Sequence, residues 1–140
     1  MEKFEFLIGS WNLEYNIPKS SFSEAATATG FGTFKRALNN IYVIFDYESN
    51  IEGNTGGAHG IFAWDEKTQI YKYWWFESSG AFMEATCNFT DEDTLFMSWH
   101  NSLLIQTFKK INKNKVVLHM SNTTSENQFD LVLEVILTRK

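Results

Sequence analysis

The chain has 140 residues, a formal net charge of −5 and 44% hydrophobic residues, enough for one domain with its own core. Its acidic balance and the scatter of its 12 Lys and Arg residues exclude a nucleic-acid surface, which needs concentrated positive charge. No stretch approaches the ~20 apolar residues of a membrane-spanning helix, and one cysteine, Cys87, permits no internal disulfide.

Residues 1–6 carry Glu2 and Glu5 and no long apolar run. They do not resemble a secretory signal, so a cytoplasmic location is expected. Residues 3–8 fit a single helical turn plugging one end of the fold. From residue 10 onward, turn-like clusters fall at 18–23, 38–40, 49–57, 65–68, 78–80, 90–94, 101–102, 112–114 and 122–127. They delimit ten short segments at a spacing of about 8–12 residues, the rhythm of an antiparallel barrel or sandwich. The predicted strands are 10–17, 27–37, 41–49, 58–65, 69–77, 81–89, 94–100, 104–111, 115–121 and 129–138. The high share of aromatic residues, 16%, favours strands and equally suits a cavity lining.

Side chains alternate across a strand, so each segment assigns its own faces. The first places Trp11, Leu13, Tyr15 and Ile17 on one side. The third places Val43, Phe45 and Tyr47 inside, with Asp46 and Glu48 outside. In the fifth, Lys72 marks the exterior and leaves Tyr71, Tyr73, Trp75 and Glu77 facing in. The sixth turns Met83, Ala85, Cys87 and Phe89 inward, the seventh Leu95, Met97 and Trp99, and the ninth Val116, Leu118 and Met120. The last sets Phe129, Leu131, Leu133, Val135 and Leu137 against Asp130, Val132, Glu134, Ile136 and Thr138. The second and eighth strands are ambiguous, and a bulge would invert every assignment beyond it. The segment 51–57, with three glycines, reads either as a portal over a barrel mouth or as a long hairpin loop.

The first strand opens on Leu7-Ile8-Gly9-Ser10-Trp11, and the last is followed by Arg139. If the strands close into a ring, these ends become neighbours and the guanidinium can cover the indole, a cation–π contact worth ~0.5–2 kcal/mol. Gly9, Trp11 and Arg139 are therefore expected to close the barrel floor. With these residues the chain resembles the calycin superfamily of lipocalin-like up-and-down barrels. More closely, it resembles the bacterial family called domain of unknown function 1579. That likeness rests on the same opening run, Gly56-Gly57-Ala58-His59-Gly60, Trp64-Asp65, Thr68-x-x-Tyr71-x-x-Trp74 and Ser78-Ser79-Gly80, and covers about residues 6–100. It implies an antiparallel barrel of about ten strands. Ten strands also bring it near the fatty-acid-binding and nitrobindin-like barrels. The nitrobindin likeness implies haem held by a histidine, whereas the lipocalin likeness implies an apolar small molecule in the interior.

The residues themselves favour the second expectation. His59, His100 and His119 all fall on the outer parity, so no haem or other cofactor is expected, and no His/Cys/Asp/Glu spacing suggests a metal site. The expected partner is a small apolar or aromatic molecule lined by Tyr15, Phe45, Tyr47, Tyr73, Trp75, Met97, Trp99 and Leu118, with Glu77 beside them. Three other readings stand against it: the haem protein, an enzyme using Glu77 as acid or base, and an interaction module with a filled core. Cys87 between inward Ala85 and Phe89 reads as a small buried hydrophobe.

Overall fold

The computed structural model describes residues 1–19, 24–51, 54–123 and 129–140. Its ten strands are β1 (Gly9–Ile17), β2 (Ala26–Ala37), β3 (Tyr42–Ile51), β4 (Asn54–Asp65), β5 (Ile70–Glu77), β6 (Phe82–Asp91), β7 (Thr94–Trp99), β8 (Leu104–Asn112), β9 (Lys115–Thr123) and β10 (Phe129–Arg139). Each pairs antiparallel with its sequence neighbours, and β1 pairs with β10 to close the barrel. Up-and-down order sends alternate connections to opposite ends. The β2–β3, β4–β5, β6–β7 and β8–β9 turns share the end where the chain starts, and the β5–β6 and β7–β8 turns lie at the opposite mouth. Of the expected turns at 18–23 and 122–127, residues 20–23 and 124–127 lie outside the described residues, and residues 122 and 123 belong to β9. Among those residues, no helix is long and apolar enough to cross a membrane.

A 3-10 helix, Glu2–Leu7, plugs the floor. Its Phe4 and Leu7 are completely buried. The Phe4 ring packs 4.9 Å from Phe62 and edge-on to Tyr71 and Phe89, each at 5.1 Å. Arg36 pins the helix from β2, donating from Nη1 to the Met1 carbonyl at 3.1 Å and from Nη2 to Glu5 at 2.6 Å.

At the seam, Trp11 and Arg139 are register partners. The guanidinium lies 4.2 Å from the Trp11 ring centroid. It donates to the carbonyls of Ile8 at 2.7 Å, Phe6 at 3.2 Å and Lys113 at 3.0 Å. The buried indole N–H in turn donates to the Leu7 carbonyl at 2.7 Å. Gly9 has φ +132°, and a Cβ there would collide with the Arg139 guanidinium. A side chain at position 9 would thus face both backbone strain and a steric clash.

Inward faces follow the alternation over most of the chain. The two ambiguous strands are settled by burial: Ala28 and Phe34 face in from β2, and Gln106 and Phe108 from β8. Two expectations need correction. First, the glycine-rich stretch 51–57 is not a loop or portal across its described part. Residues 54–57 pair with 48–51 as the start of β4, and only residues 52 and 53 lie outside the described residues. Second, β10 does not keep one parity. The register slips between Leu131 and Leu133, with Leu131 opposite Ser121 but Leu133 opposite Met120. The extra residue inverts the expected faces on its mouth side. Leu133, Val135 and Leu137 point in as expected, whereas Phe129 and Leu131, expected inside, are 62% and 41% exposed.

Candidate functional site

Above the packed floor, the barrel encloses a cavity of about 270 Å³. Alternate residues of the strands converge on it: Tyr15 from β1, Phe45 and Tyr47 from β3, Tyr73, Trp75 and Glu77 from β5, Trp99 from β7 and Leu118 from β9. The structure therefore gathers eight of the nine residues singled out from sequence around one volume. The ninth, Met97, is not on the wall. It faces in, as its parity requires, but lies one inward position closer to the floor than Trp99, completely buried in the packed layer.

One wall is a stack of aromatic rings crossing β2, β3 and β5. Phe34 lies 4.0 Å from Phe45 at 5° between planes, Phe45 lies 5.7 Å from Tyr47 at 16°, and Tyr47 lies 5.2 Å from Trp75 at 19°. These near-parallel rings stack face to face; Phe45, Tyr47 and Trp75 of the stack line the cavity, and Phe34 is completely buried off it. Tyr73 lies across Gly60 of β4, where a Cβ would overlap the phenol. The opposite wall is aliphatic, with Leu104, Leu118, Met120, Leu133 and Val135.

Few polar groups reach this interior. Gln106 is nearly buried, and its amide oxygen accepts from the Trp99 indole at 3.2 Å. With that oxygen engaged, the amide N–H groups are what Gln106 can offer a guest. Burial pushes the phenols of Tyr15, Tyr47 and Tyr73 above the ordinary tyrosine range, so all three hydroxyls stay protonated at neutral pH. Glu77 sits half-buried at the rim. Its Oε1 accepts from the Trp75 indole at 3.1 Å and its Oε2 from the Ser79 hydroxyl at 3.1 Å. Among the described residues, Glu77 is the only carboxylate on the wall, and no Lys, Arg or His lines it.

The three histidines lie on the outer face, each beside a carboxylate: His59 with Asp46, His100 with Glu84 at 3.5 Å, and His119 with Glu134 at 2.8 Å. The His119 hydrogen bond holds Glu134 below the usual carboxylate range. Cys87 is buried between β5 and β7 partners, and desolvation pushes its thiol up to about 12. Among the described residues, no group of three or more His, Cys, Asp or Glu side chains is placed to hold a metal ion.

Sequence reading missed Gln106 and Phe108, because strand eight gave no clear alternation. A larger, open groove of about 1010 Å³ crosses the outer face over Gly30, Gly56 and Gly57, between Asn12, Thr29, Glu48 and Thr138. It is more open and more polar than the interior cavity, whose lining is largely apolar and surrounded by the barrel wall, as a small-molecule site needs.

A closed ten-stranded antiparallel barrel with a plugged floor and an aromatic interior defines an up-and-down β-barrel protein. The chain belongs to the family described as "Protein of unknown function (DUF1579)", whose model matches residues 2–139. Among solved structures it is similar to Rv2717c from M. tuberculosis, with a TM-score of 0.67 and 11% identity, covering 100% of this chain and 98% of that one. It is also similar to the S-type phycobiliprotein lyase CPES from Guillardia theta, with a TM-score of 0.65 and 11% identity over 99% and 91% of the two chains. A redesigned β-barrel gives a TM-score of 0.51 and 15% identity over 97% and 93%. At these identities the likeness is one of fold. No curated protein matches the chain.

Proposed function

We propose that this protein binds a small, largely apolar molecule with a flat or aromatic body in the barrel interior. The observation that carries the reading is the cavity of about 270 Å³ inside the barrel, between an aromatic stack and an aliphatic wall. A filled interaction module would have continued the packing of Phe4, Phe62 and Leu95 up to the mouth, and here the packing stops below Trp99. The haem alternative lacks support, because no histidine among the described residues lines the cavity. An acid–base role for Glu77 lacks a partner, because among the described residues the wall holds no imidazole, lysine or second carboxylate.

The test is titration with a neutral aromatic fluorophore such as 1-aminoanthracene. Binding quenches tryptophan emission through Trp75 and Trp99. A ligand at ten times its Kd stabilises the folded state by about 1.4 kcal/mol, a Tm rise of roughly 3–6 °C for a domain of this size. Trp75→Ala and Trp99→Ala alter affinity and quenching, whereas Lys72→Ala and Asn12→Ala on the outer face alter neither. If a broad panel of apolar molecules gives no thermal shift, the binding reading is wrong.

A further inference from the structure

The charge distribution on the cavity wall narrows the guest further, on the premise that the cavity is the binding site. We propose that the rim formed by Tyr15, Tyr47, Trp75 and Glu77 receives a cationic group, so that the guest is an organic amine or quaternary ammonium with an apolar body. Three observations converge on this. Among the described residues the wall carries one carboxylate and no basic side chain. An anionic headgroup would meet Glu77 with nothing to neutralise it, whereas a cation finds its counter-charge in place. The carboxylate is also held still: both oxygens accept hydrogen bonds, one from the Trp75 indole and one from Ser79. Those donors match an ionised carboxylate, which can only accept.

The second observation is the set of rings around that charge. Tyr47 lies 5.2 Å from Trp75 and 6.3 Å from Tyr15, centroid to centroid. Aromatic faces attract cations through their quadrupoles, and clusters of them recognise methylated ammonium groups. The third is the reach of the Glu77 charge. It adds to burial in raising the Tyr47 phenol, so its field acts on the rings that would hold the guest. Formal net charge of −5 draws cations to the surface as well. The apolar body then lies along the Phe45–Tyr47–Trp75 stack, towards Leu118 and Val135.

The experiment compares three probes of nearly equal shape by isothermal titration: phenyltrimethylammonium, its neutral isostere tert-butylbenzene, and the anion 2-methyl-2-phenylpropanoate. The cation is expected to bind at least tenfold more tightly than the neutral probe, and the anion most weakly. Glu77→Gln, with its fold checked by circular dichroism, should weaken the cation about tenfold and leave the neutral probe within twofold. A cation no tighter than its neutral isostere, an anion tighter than the cation, or a cation indifferent to Glu77→Gln overturns the proposal while leaving apolar binding intact. Failure of all three probes overturns both. Should Glu77→Gln not fold, the order of the three probes on the native protein decides.

Discussion

Trp11→Ala lowers the stability of the barrel by about 3–5 kcal/mol, the range for truncating a large buried aromatic. The indole is completely buried at the point where first and last strands meet. Its loss opens a void under the floor helix and leaves the Leu7 carbonyl without its donor. Arg139→Ala costs less, because the guanidinium is partly solvated, but it releases the carbonyls of Phe6, Ile8 and Lys113 together. The two losses are not additive: the ring and the cation share one contact, so a double-mutant cycle in urea returns a coupling of at least about 0.5 kcal/mol. Arg139→Lys restores charge but not the fork that reaches Phe6 and Ile8 at once, and recovers little. Strict additivity in the cycle would show that the contact does not close the seam.

Stability falls steeply above pH ~9–10, through groups that the interior keeps protonated. Burial raises Cys87 to about 12 and raises Tyr15, Tyr47, Tyr71 and Tyr73 above their ordinary range. A group whose folded pKa exceeds its unfolded value binds its proton more tightly when folded. Its contribution is complete below the unfolded pKa, ~8.5–9 for a thiol and ~10 for a phenol, and is lost as pH rises from there through the folded value. The Cys87 displacement of about three units corresponds to on the order of 4 kcal/mol at ~1.4 kcal/mol per unit. Urea midpoints measured from pH 8 to 11 should therefore drop, with onset near 9. In Cys87→Ala the onset moves towards 10, where the tyrosines begin. A flat profile to pH 11 would mean that these groups are not buried.

Alternation made most of this fold legible before any coordinates. In β5, one lysine at position 72 marks the exterior, and Tyr71, Tyr73, Trp75 and Glu77 fall inside as a consequence. The seam was legible because a glycine, an indole and an arginine stand at the two ends of the chain. Four things were not legible, each for a physical reason. Alternation gives the face of a residue but not its height, so Met97 shared a face with Trp99 and still ended below the cavity. A bulge changes parity without changing composition, so the extra residue between Leu131 and Leu133 left no mark on the hydrophobic pattern. Glycines carry no side chain to alternate, so Gly56 and Gly57 looked like loop while pairing with Ser49 and Glu48 in a strand. Gln106 was hidden by the mixed pattern of β8, although its neighbour two positions on, Phe108, shares its face.

The central claim is that the interior, and not the outer groove, receives the guest. Intermolecular NOEs between bound indole and selectively methyl-labelled protein test it most directly. The interior site predicts saturable NOEs to the methyls of Leu118, Leu133 and Val135, which line the cavity. NOEs confined to the methyls of Thr29 and Thr138, which line the outer groove, would contradict it.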